Sequence, residues 1–266
     1  MPAISVFDIF KIGIGPSSSH TVGPMKAAAA FAELLDSVAT EVATIGVTLH
    51  GSLAYTGKGH GTDSAVILGL MGKQPDSIDP DAVDDMLRRV HADKQLQVPA
   101  VGAVPFDPES DLVFDYGEEL PRHTNGMRFV ALDKAGDVVL DEVFYSLGGG
   151  FIARGDEPEP VAQEGDPPHR FNSADMLLEV AEAHDLSIAE LMFENETRWR
   201  DADAVNDRLD AIWAAMESCI ERGLRTEGVL PGQMAVLRRA AKLKRRIEER
   251  AAPTALDALD WVKAYA

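Results

Sequence analysis

The chain has 266 residues, a formal net charge of −19, 45% hydrophobic residues and 26% charged residues. This length supports one or two domains with a buried core, and the composition is that of a globular protein. The acidic charge disfavours nucleic acid and anionic membranes as partners, and no apolar run approaches the ~20 residues that cross a bilayer. Residues 1–8 lack the basic segment of a signal peptide, so we expect a cytoplasmic protein.

One basic stretch departs from the acidic average, since residues 231–250 hold seven Lys or Arg. We interpret this stretch as a solvated basic helix, with a nucleic-acid-binding patch as the alternative.

The chain contains one cysteine, Cys219. A single thiol forms no internal disulfide and cannot by itself hold an iron–sulfur cluster, and it fits a reducing compartment. Cys219 follows Ile212 and Met216 at helical spacing, which predicts a packed side chain.

The first part of the chain mixes helix and strand patterns. The spacing of apolar residues and the capping signals predict, in chain order, a helix over 22–37, a strand over 44–49, a helix running from Thr62 through Gly69, a helix opening at Asp79, and a hairpin of strands 127–133 and 137–145. We therefore predict an α+β domain over residues 1–150.

The second part of the chain is predicted to be helical. Residues 151–170 are rich in proline and acidic side chains, which indicates an extended linker. Helices follow with a cap at Ser173, a capping box at Ser187, an apolar stripe over 204–223 that stops at a glycine, and a last helix opening at Thr254. Because the sequence reaches residue 266 without a stop signal, we expect an all-α domain over 171–266 that is truncated.

The first of three polar clusters places Ser17, Ser18, Ser19 and His20 directly before the first predicted helix. Hydroxyl and amide groups at a helix N-terminus attract carboxylate or phosphate. One serine would be enough for capping, so the cluster indicates a ligand contact.

The second cluster lies in the glycine-rich segment 51–63, which we expect to form a substrate loop between a strand and a helix. The segment lacks the P-loop pattern, and its glycines leave His60 unhindered. A histidine near neutral pKa is the usual proton acceptor, although a loop histidine without a function is the alternative.

The third cluster holds His123 and Asn125 at the entry to a strand. Asn-Gly is a strong turn signal, so a plain turn and a contact to a small ligand both remain open. The remaining histidines form no H-E-x-x-H pair, and we assign no metal ligand to this chain.

Five segments in this order resemble one family: residues 4–25, 57–63, 123–127, 145–151 and 194–196. The runs PSSSHTVGPM (16–25) and KGHGTD (58–63) are specific when they occur together. The chain resembles the iron–sulfur L-serine dehydratases (L-serine ammonia-lyases), and more narrowly the single-chain type in which a mixed domain precedes a helical catalytic domain.

The resemblance implies a reaction in which L-serine first loses water and the product then releases ammonia by hydrolysis to give pyruvate, a step of amino-acid catabolism that feeds gluconeogenesis. It also implies a [4Fe-4S] cluster, one iron of which lacks a cysteine ligand and acts as a Lewis acid. His60 is the expected base for the α-proton. The expected substrate-binding residues are Ser17, Ser18, Ser19, His20, Lys58, Thr62, Asp63, His123 and Asn125.

The cysteine content departs from the family. In the family the cluster cysteines lie beyond the segment that this chain matches, and Cys219 matches none of them. We therefore expect the 266-residue chain alone to be inactive, and a C-terminal catalytic part or a partner chain to complete it. A module that binds serine or an effector without catalysis is the alternative, and half of a split enzyme is another. We further expect a homo-oligomer.

Overall fold

The computed structural model describes residues 5–158, 165–230, 236–249 and 257–265. The chain divides into two compact units. The sheet unit begins at Asp8 and includes the described residues through 158, and the helical unit joins residues 5–7 to the described residues from 165 onward. Among the described helices, none is long and apolar enough to cross a membrane.

The helices in chain order are α1 (Val6–Ile9), α2 (Gly23–Leu34), α3 (Gly51–His60), α4 (Thr62–Leu70), α5 (Val83–Asp93), α6 (Ala174–Ala183), α7 (Ile188–Glu196), α8 (Ala202–Arg225), α9 (Ala240–Glu248) and α10 (Asp257–Tyr265). A π-helical turn, Ser18–Val22, leads into α2, and a 3₁₀ turn, Leu35–Ser37, follows it. The strands are β1 (Thr44–His50), β2 (Gln95–Val98), β3 (Gly102–Pro105), β4 (Leu112–Asp115), β5 (Gly126–Leu132), β6 (Val138–Gly148) and β7 (Phe151–Arg154). The predicted fold class, an α+β part followed by helices, is confirmed.

The main sheet of the sheet unit has the strand order β4-β1-β5-β6-β7. β1 and β4 are parallel, whereas β1–β5, β5–β6 and β6–β7 are antiparallel. Strands β2 and β3 form a separate antiparallel hairpin. Because β1 and β4 run in the same direction, their last residues, His50 and Asp115, lie at the same edge of the sheet.

The core of the sheet unit lies between the main sheet and helices α2, α3 and α4. Its centre is aromatic: the Phe129 ring stacks on Phe31 at 5.1 Å and meets the edge of Phe144 at 5.8 Å. Helices α2 and α4 approach closely, and a Cβ at Gly69 would lie 2.2 Å from the Met25 carbonyl oxygen. This contact explains the run of alanines in α2, since small side chains let two helix backbones come together.

The helical unit holds the first described residues of the chain. The Glu196 carboxylate on α7 is buried and accepts hydrogen bonds from Ser5 Oγ at 2.8 Å and from the Val6 amide at 2.7 Å. Arg200 also donates to this carboxylate at 2.8 Å, and its guanidinium lies 5.1 Å from the centre of the Phe7 ring. Residues 5–7, which the sequence placed in the first domain, therefore pack with the helices.

The predicted helix boundaries at Asp79 and Gly223 differ from the structure. The helix expected at Asp79 begins at Val83, because the Asp79 carboxylate accepts from the Asp81 amide and so stabilises a preceding turn. The helix expected to stop at Gly223 continues to Arg225. The predicted caps at Ser173 and Ser187 are confirmed, the latter as a complete capping box.

Three further expectations have mixed outcomes. Residues 151–154, placed in the linker, form strand β7 and pair with β6. Cys219 was expected to be packed and is exposed on α8, so that prediction was wrong. The expected opening of the last helix at Thr254 lies outside the described residues, where α10 begins at Asp257.

Candidate functional site

Segments from all three polar clusters meet in the sheet unit. His20 Nε2 lies 3.2 Å from the Ser52 hydroxyl, at the start of α3. The Ser52 amide in turn donates to the Thr124 carbonyl at 2.9 Å, in the turn before β5. Positions that are 32 and 72 residues apart in sequence therefore form one continuous polar site.

The serine cluster forms a π-helical turn instead of a simple helix start. Ser17 caps this turn by accepting from the His20 amide at 3.3 Å, and its hydroxyl lies 3.3 Å from the Ser19 hydroxyl. Ser19 Oγ is 2.9 Å from His20 Nδ1, while Ser18 is exposed. Single π-helical turns occur often at functional sites.

His60 occupies the C-terminal end of α3, so the expected substrate loop over 51–63 is corrected to a helix followed by a one-residue left-handed turn. Gly61 ends the helix with φ 70°, a conformation that suits glycine. His60 Nδ1 lies 2.8 Å from the Thr56 carbonyl oxygen. A carbonyl only accepts hydrogen bonds, so Nδ1 carries the proton, and Nε2 of the neutral ring keeps a lone pair.

The two histidine rings form a pair, with their centres 4.8 Å apart and their planes tilted by 38°. Burial lowers the pKa of His20 below its ordinary value of 6.5, and the nearby charge of His60 lowers it further. The arrangement therefore favours a neutral His20 at neutral pH. Because the two imidazoles do not both carry a positive charge, the pair keeps a ring nitrogen that can accept a proton during a reaction.

The remaining residues of the KGHGTD run take up different positions. Thr62 is buried and donates to the His20 carbonyl at 2.6 Å, which fixes the π-turn on the start of α4. Asp63 accepts from the Ser64 amide at 2.8 Å in the first turn of α4. Lys58 is exposed, and its ammonium lies 5.3 Å from the centre of the Phe114 ring.

The third cluster lies beneath the π-turn. Asn125 is buried, and its side-chain Nδ2 donates to the Ser146 carbonyl at 3.1 Å. The backbone amide of Asn125 donates to His123 Nδ1 at 3.0 Å. Gly23, at the start of α2, has no Cβ, and one built there would lie 2.0 Å from Ser146 Oγ. Within the described residues, Asn125 Oδ1 and Ser146 Oγ are buried without a hydrogen-bond partner.

The motif at 194–196 belongs to the helical unit and has structural partners there. The side chain of Asn195 makes two hydrogen bonds of 2.9 Å to the backbone of His169, and Glu194 lies 2.6 Å from His169 Nε2. Glu196 holds residues 5 and 6, as described above.

Sequence reasoning placed Ser52, Thr124 and Ser146 inside the motifs but did not assign them to the site. Ser52 is the residue that joins His20 to the third cluster. The available signal was its position directly after a strand, where side chains commonly reach a ligand. Ser146 showed no such signal, because its location depends on the contact between β6 and the start of α2.

A [4Fe-4S] cluster bound by three cysteines needs three thiolates, whereas the chain has one cysteine, exposed on α8. The residues of this chain do not fit such a cluster.

Two protein families match this chain. The family described as serine dehydratase beta chain matches residues 5–157, and the family described as serine dehydratase alpha chain matches residues 183–266. The chain belongs to the serine dehydratase family.

Similar curated proteins agree with this assignment. The L-serine dehydratase of Streptomyces coelicolor is 43% identical, and the alignment covers 99% of this chain and 59% of that protein. L-serine dehydratase TdcG of Escherichia coli K12 is 42% identical with the same coverage, and the L-serine dehydratase of Helicobacter pylori J99 is 38% identical. The chain thus spans about three fifths of the length of these relatives.

Proposed function

We propose that this chain forms the substrate-binding and proton-accepting part of an L-serine dehydratase, which converts L-serine to pyruvate and ammonia. The names of the relatives support the reaction class. The observation that carries the proposal is the His20–His60 pair, in which the hydrogen bond from His60 Nδ1 to Thr56 leaves Nε2 as a proton acceptor.

His60 is the proposed base that removes the α-proton of serine. Its ring is half-buried, so a ligand can reach it, and it stands beside a histidine that stays neutral. A positioned general base of this kind contributes roughly 10²–10⁴-fold to a rate. The proton moves from the serine Cα to Nε2, and the electron pair of that bond forms a double bond to Cβ as the β-hydroxyl group leaves. The resulting imidazolium is stabilised by the Thr56 carbonyl at Nδ1.

The substrate carboxylate is proposed to bind at the serine turn. The hydroxyls of Ser17 and Ser19 and the imidazole of His20 form a connected set of donors there, and Ser18 lies exposed next to them. Lys58 and His123 remain proposed substrate contacts. Thr62, Asp63 and Asn125 already bond to protein groups, and we assign them to positioning the turn, the start of α4 and the base of the site.

The iron–sulfur cluster of the family requires cysteine ligands that this chain does not supply. Because the chain has one thiol, we propose that cluster ligands come from polypeptide outside this sequence. Anaerobic reconstitution of the 266-residue chain should therefore give no cluster absorbance after desalting and no pyruvate from L-serine. A stable cluster on this chain would contradict the proposal.

Serine binding tests the proposal directly. Calorimetric titration of the chain with L-serine should show saturable binding, and His20→Gln should weaken it by roughly 10-fold or more, because a hydrogen bond to a charged group is worth about 1.5–3 kcal/mol. His91→Gln, an exposed change on α5, is the matched control. Absence of serine binding, or equal binding by both variants, would contradict the assignment. Binding by the chain with no activity in a completed enzyme would support the alternative of a binding module.

A further inference from the structure

A second polar cluster lies at the edge of the main sheet. His50 ends β1 and Asp115 ends β4, and the two residues are direct partners in the parallel pairing. Glu118 follows three residues after Asp115. One ligand atom from each of the three side chains can be chosen so that all lie within 4.8 Å of one another.

The His50 ring is the unusual member of the cluster. The residue is 3% exposed, and both ring nitrogens are buried without a hydrogen-bond partner in the part of the chain that the structure describes. Nδ1 lies 3.7 Å from Asp115 Oδ2, which is too long for a hydrogen bond. Native proteins rarely leave a buried polar side chain unpaired, so an unsatisfied imidazole facing a carboxylate indicates an unseen partner.

The distances suit a small cation. In a tetrahedral site with bonds of about 2.1 Å, neighbouring ligand atoms are roughly 3.4 Å apart, close to the spacing of Nδ1 and Oδ2. Glu118 is exposed, so its side chain can move to bring its carboxylate oxygen closer to the other two ligand atoms. One imidazole and two carboxylates form a nitrogen and oxygen donor set that suits zinc and similar divalent ions, not thiolate-bound iron.

We propose that His50, Asp115 and Glu118 bind one divalent transition-metal ion, such as Zn²⁺, with water completing the coordination. This site is distinct from the His20–His60 pair and from the family's iron–sulfur cluster. The sequence predicted no metal ligand in this chain. The site could not be predicted because nothing in the sequence indicates the parallel strand pairing that brings His50 next to Asp115.

The ion would join two segments that hold the candidate site. His50 directly precedes α3, which begins with Gly51 and carries Ser52. On the other side, Glu119 accepts from Thr124 Oγ1 at 2.9 Å, and the Ser52 amide donates to the Thr124 carbonyl. A metal ion between the end of β1 and the loop after β4 would therefore stabilise the start of α3.

The test is calorimetric titration of the chelator-treated 266-residue chain with ZnCl₂. We expect one ion per chain at the strong site, and a rise in the melting temperature when the ion is present. His50→Gln and Glu118→Gln should each weaken binding by more than about tenfold, since even the loss of residues behind the ligands costs 10–100-fold. Glu118 is exposed, so its substitution should leave the fold, measured by circular dichroism, unchanged.

Glu109→Gln, an exposed carboxylate change outside the cluster, is the control and should retain the parent affinity. Substitution of Co²⁺ for Zn²⁺ should give a visible spectrum that is lost in Glu118→Gln. Absence of stoichiometric Zn²⁺ binding would overturn the proposal. Stoichiometric binding that both His50→Gln and Glu118→Gln leave unchanged would also overturn it, because it would locate the ion elsewhere.

Discussion

Replacing Glu196 by Gln should destabilise the helical unit. The carboxylate is 2% exposed and accepts from the Ser5 hydroxyl, the Val6 amide and the Arg200 guanidinium at 2.7–2.8 Å. The amide of Gln has one acceptor oxygen, so its nitrogen must face at least one of these donors. The substitution also leaves Arg200, which is largely buried, without its counter-charge.

The expected cost follows from these contacts. Removing one partner of a buried ion pair typically costs 3–5 kcal/mol, and because Arg200 retains 15% side-chain exposure we expect about 3 kcal/mol. With a urea dependence of about 1.5 kcal/mol per molar, the midpoint of unfolding should fall by roughly 2 M. Glu194→Gln is the matched control within the same motif. The Glu194 side chain is 50% exposed, and its contact with His169 Nε2 should be worth about 1 kcal/mol or less.

Tryptophan fluorescence reports this transition selectively. The three tryptophans all belong to the helical unit: Trp199, Trp213 and Trp261. Urea unfolding of the parent, Glu196→Gln and Glu194→Gln should therefore separate the two substitutions. Equal midpoints for both variants would refute the view that Glu196 anchors the start of the chain.

Three further predictions concern the sheet unit. Phe129→Ala should cost about 3–5 kcal/mol, because the ring is fully buried against Phe31, and faster hydrogen exchange in β5 measures the loss; a cost below about 1 kcal/mol would contradict the packing. The pKa of His20 should lie below 6.5 and should rise in His60→Gln. The contribution of His20 to stability is therefore complete above pH 6.5 and is lost as the pH falls through that value towards the folded pKa. An NMR titration midpoint of His20 at or above 6.5, or the same midpoint in His60→Gln as in the parent, would contradict this. Limited proteolysis should cut first within residues 155–170, after β7, and leave a folded sheet unit less easily degraded than the helical part; equal protection of both parts would speak against separate stability.

The sequence predicted elements whose signals are local. The hairpin before residue 150, the helix after the serine cluster and the caps at Ser173 and Ser187 all arise from short-range patterns, and the structure contains each of them. The π-turn was not predictable, because its hydrogen bonds depend on Ser17 and on the contact of Thr62 with His20.

The segment that forms α3 was expected to be a loop, and tertiary packing explains why it is a helix. Glycine has poor helix propensity, and four glycines between 51 and 61 indicated an irregular segment. The helix forms because Leu53 and Ala54 are buried in the sheet unit. Gly57 fits a tight contact, since a Cβ there would lie 3.0 Å from Thr62 Oγ1.

The meeting of the polar clusters depends on topology, which a single sequence does not reveal. His20 and His60 come together because α3 and the π-turn both pack against α4 and contact each other, and Ser52 joins them to the turn before β5. The pairing of His50 with Asp115 similarly requires β1 and β4 to be parallel neighbours.

Kinetics of His60 variants test the central claim most directly. The chain would be fused to the part of the Streptomyces coelicolor L-serine dehydratase that the alignment does not cover, and pyruvate formation measured for the parent, His60→Ala and His91→Ala. We predict that His60→Ala lowers kcat by roughly 10²–10⁴-fold with little change in KM, because a base acts in proton transfer and not in ground-state binding, while His91→Ala behaves like the parent. Turnover by His60→Ala within a few-fold of the parent would contradict the assignment of His60 as the proton acceptor.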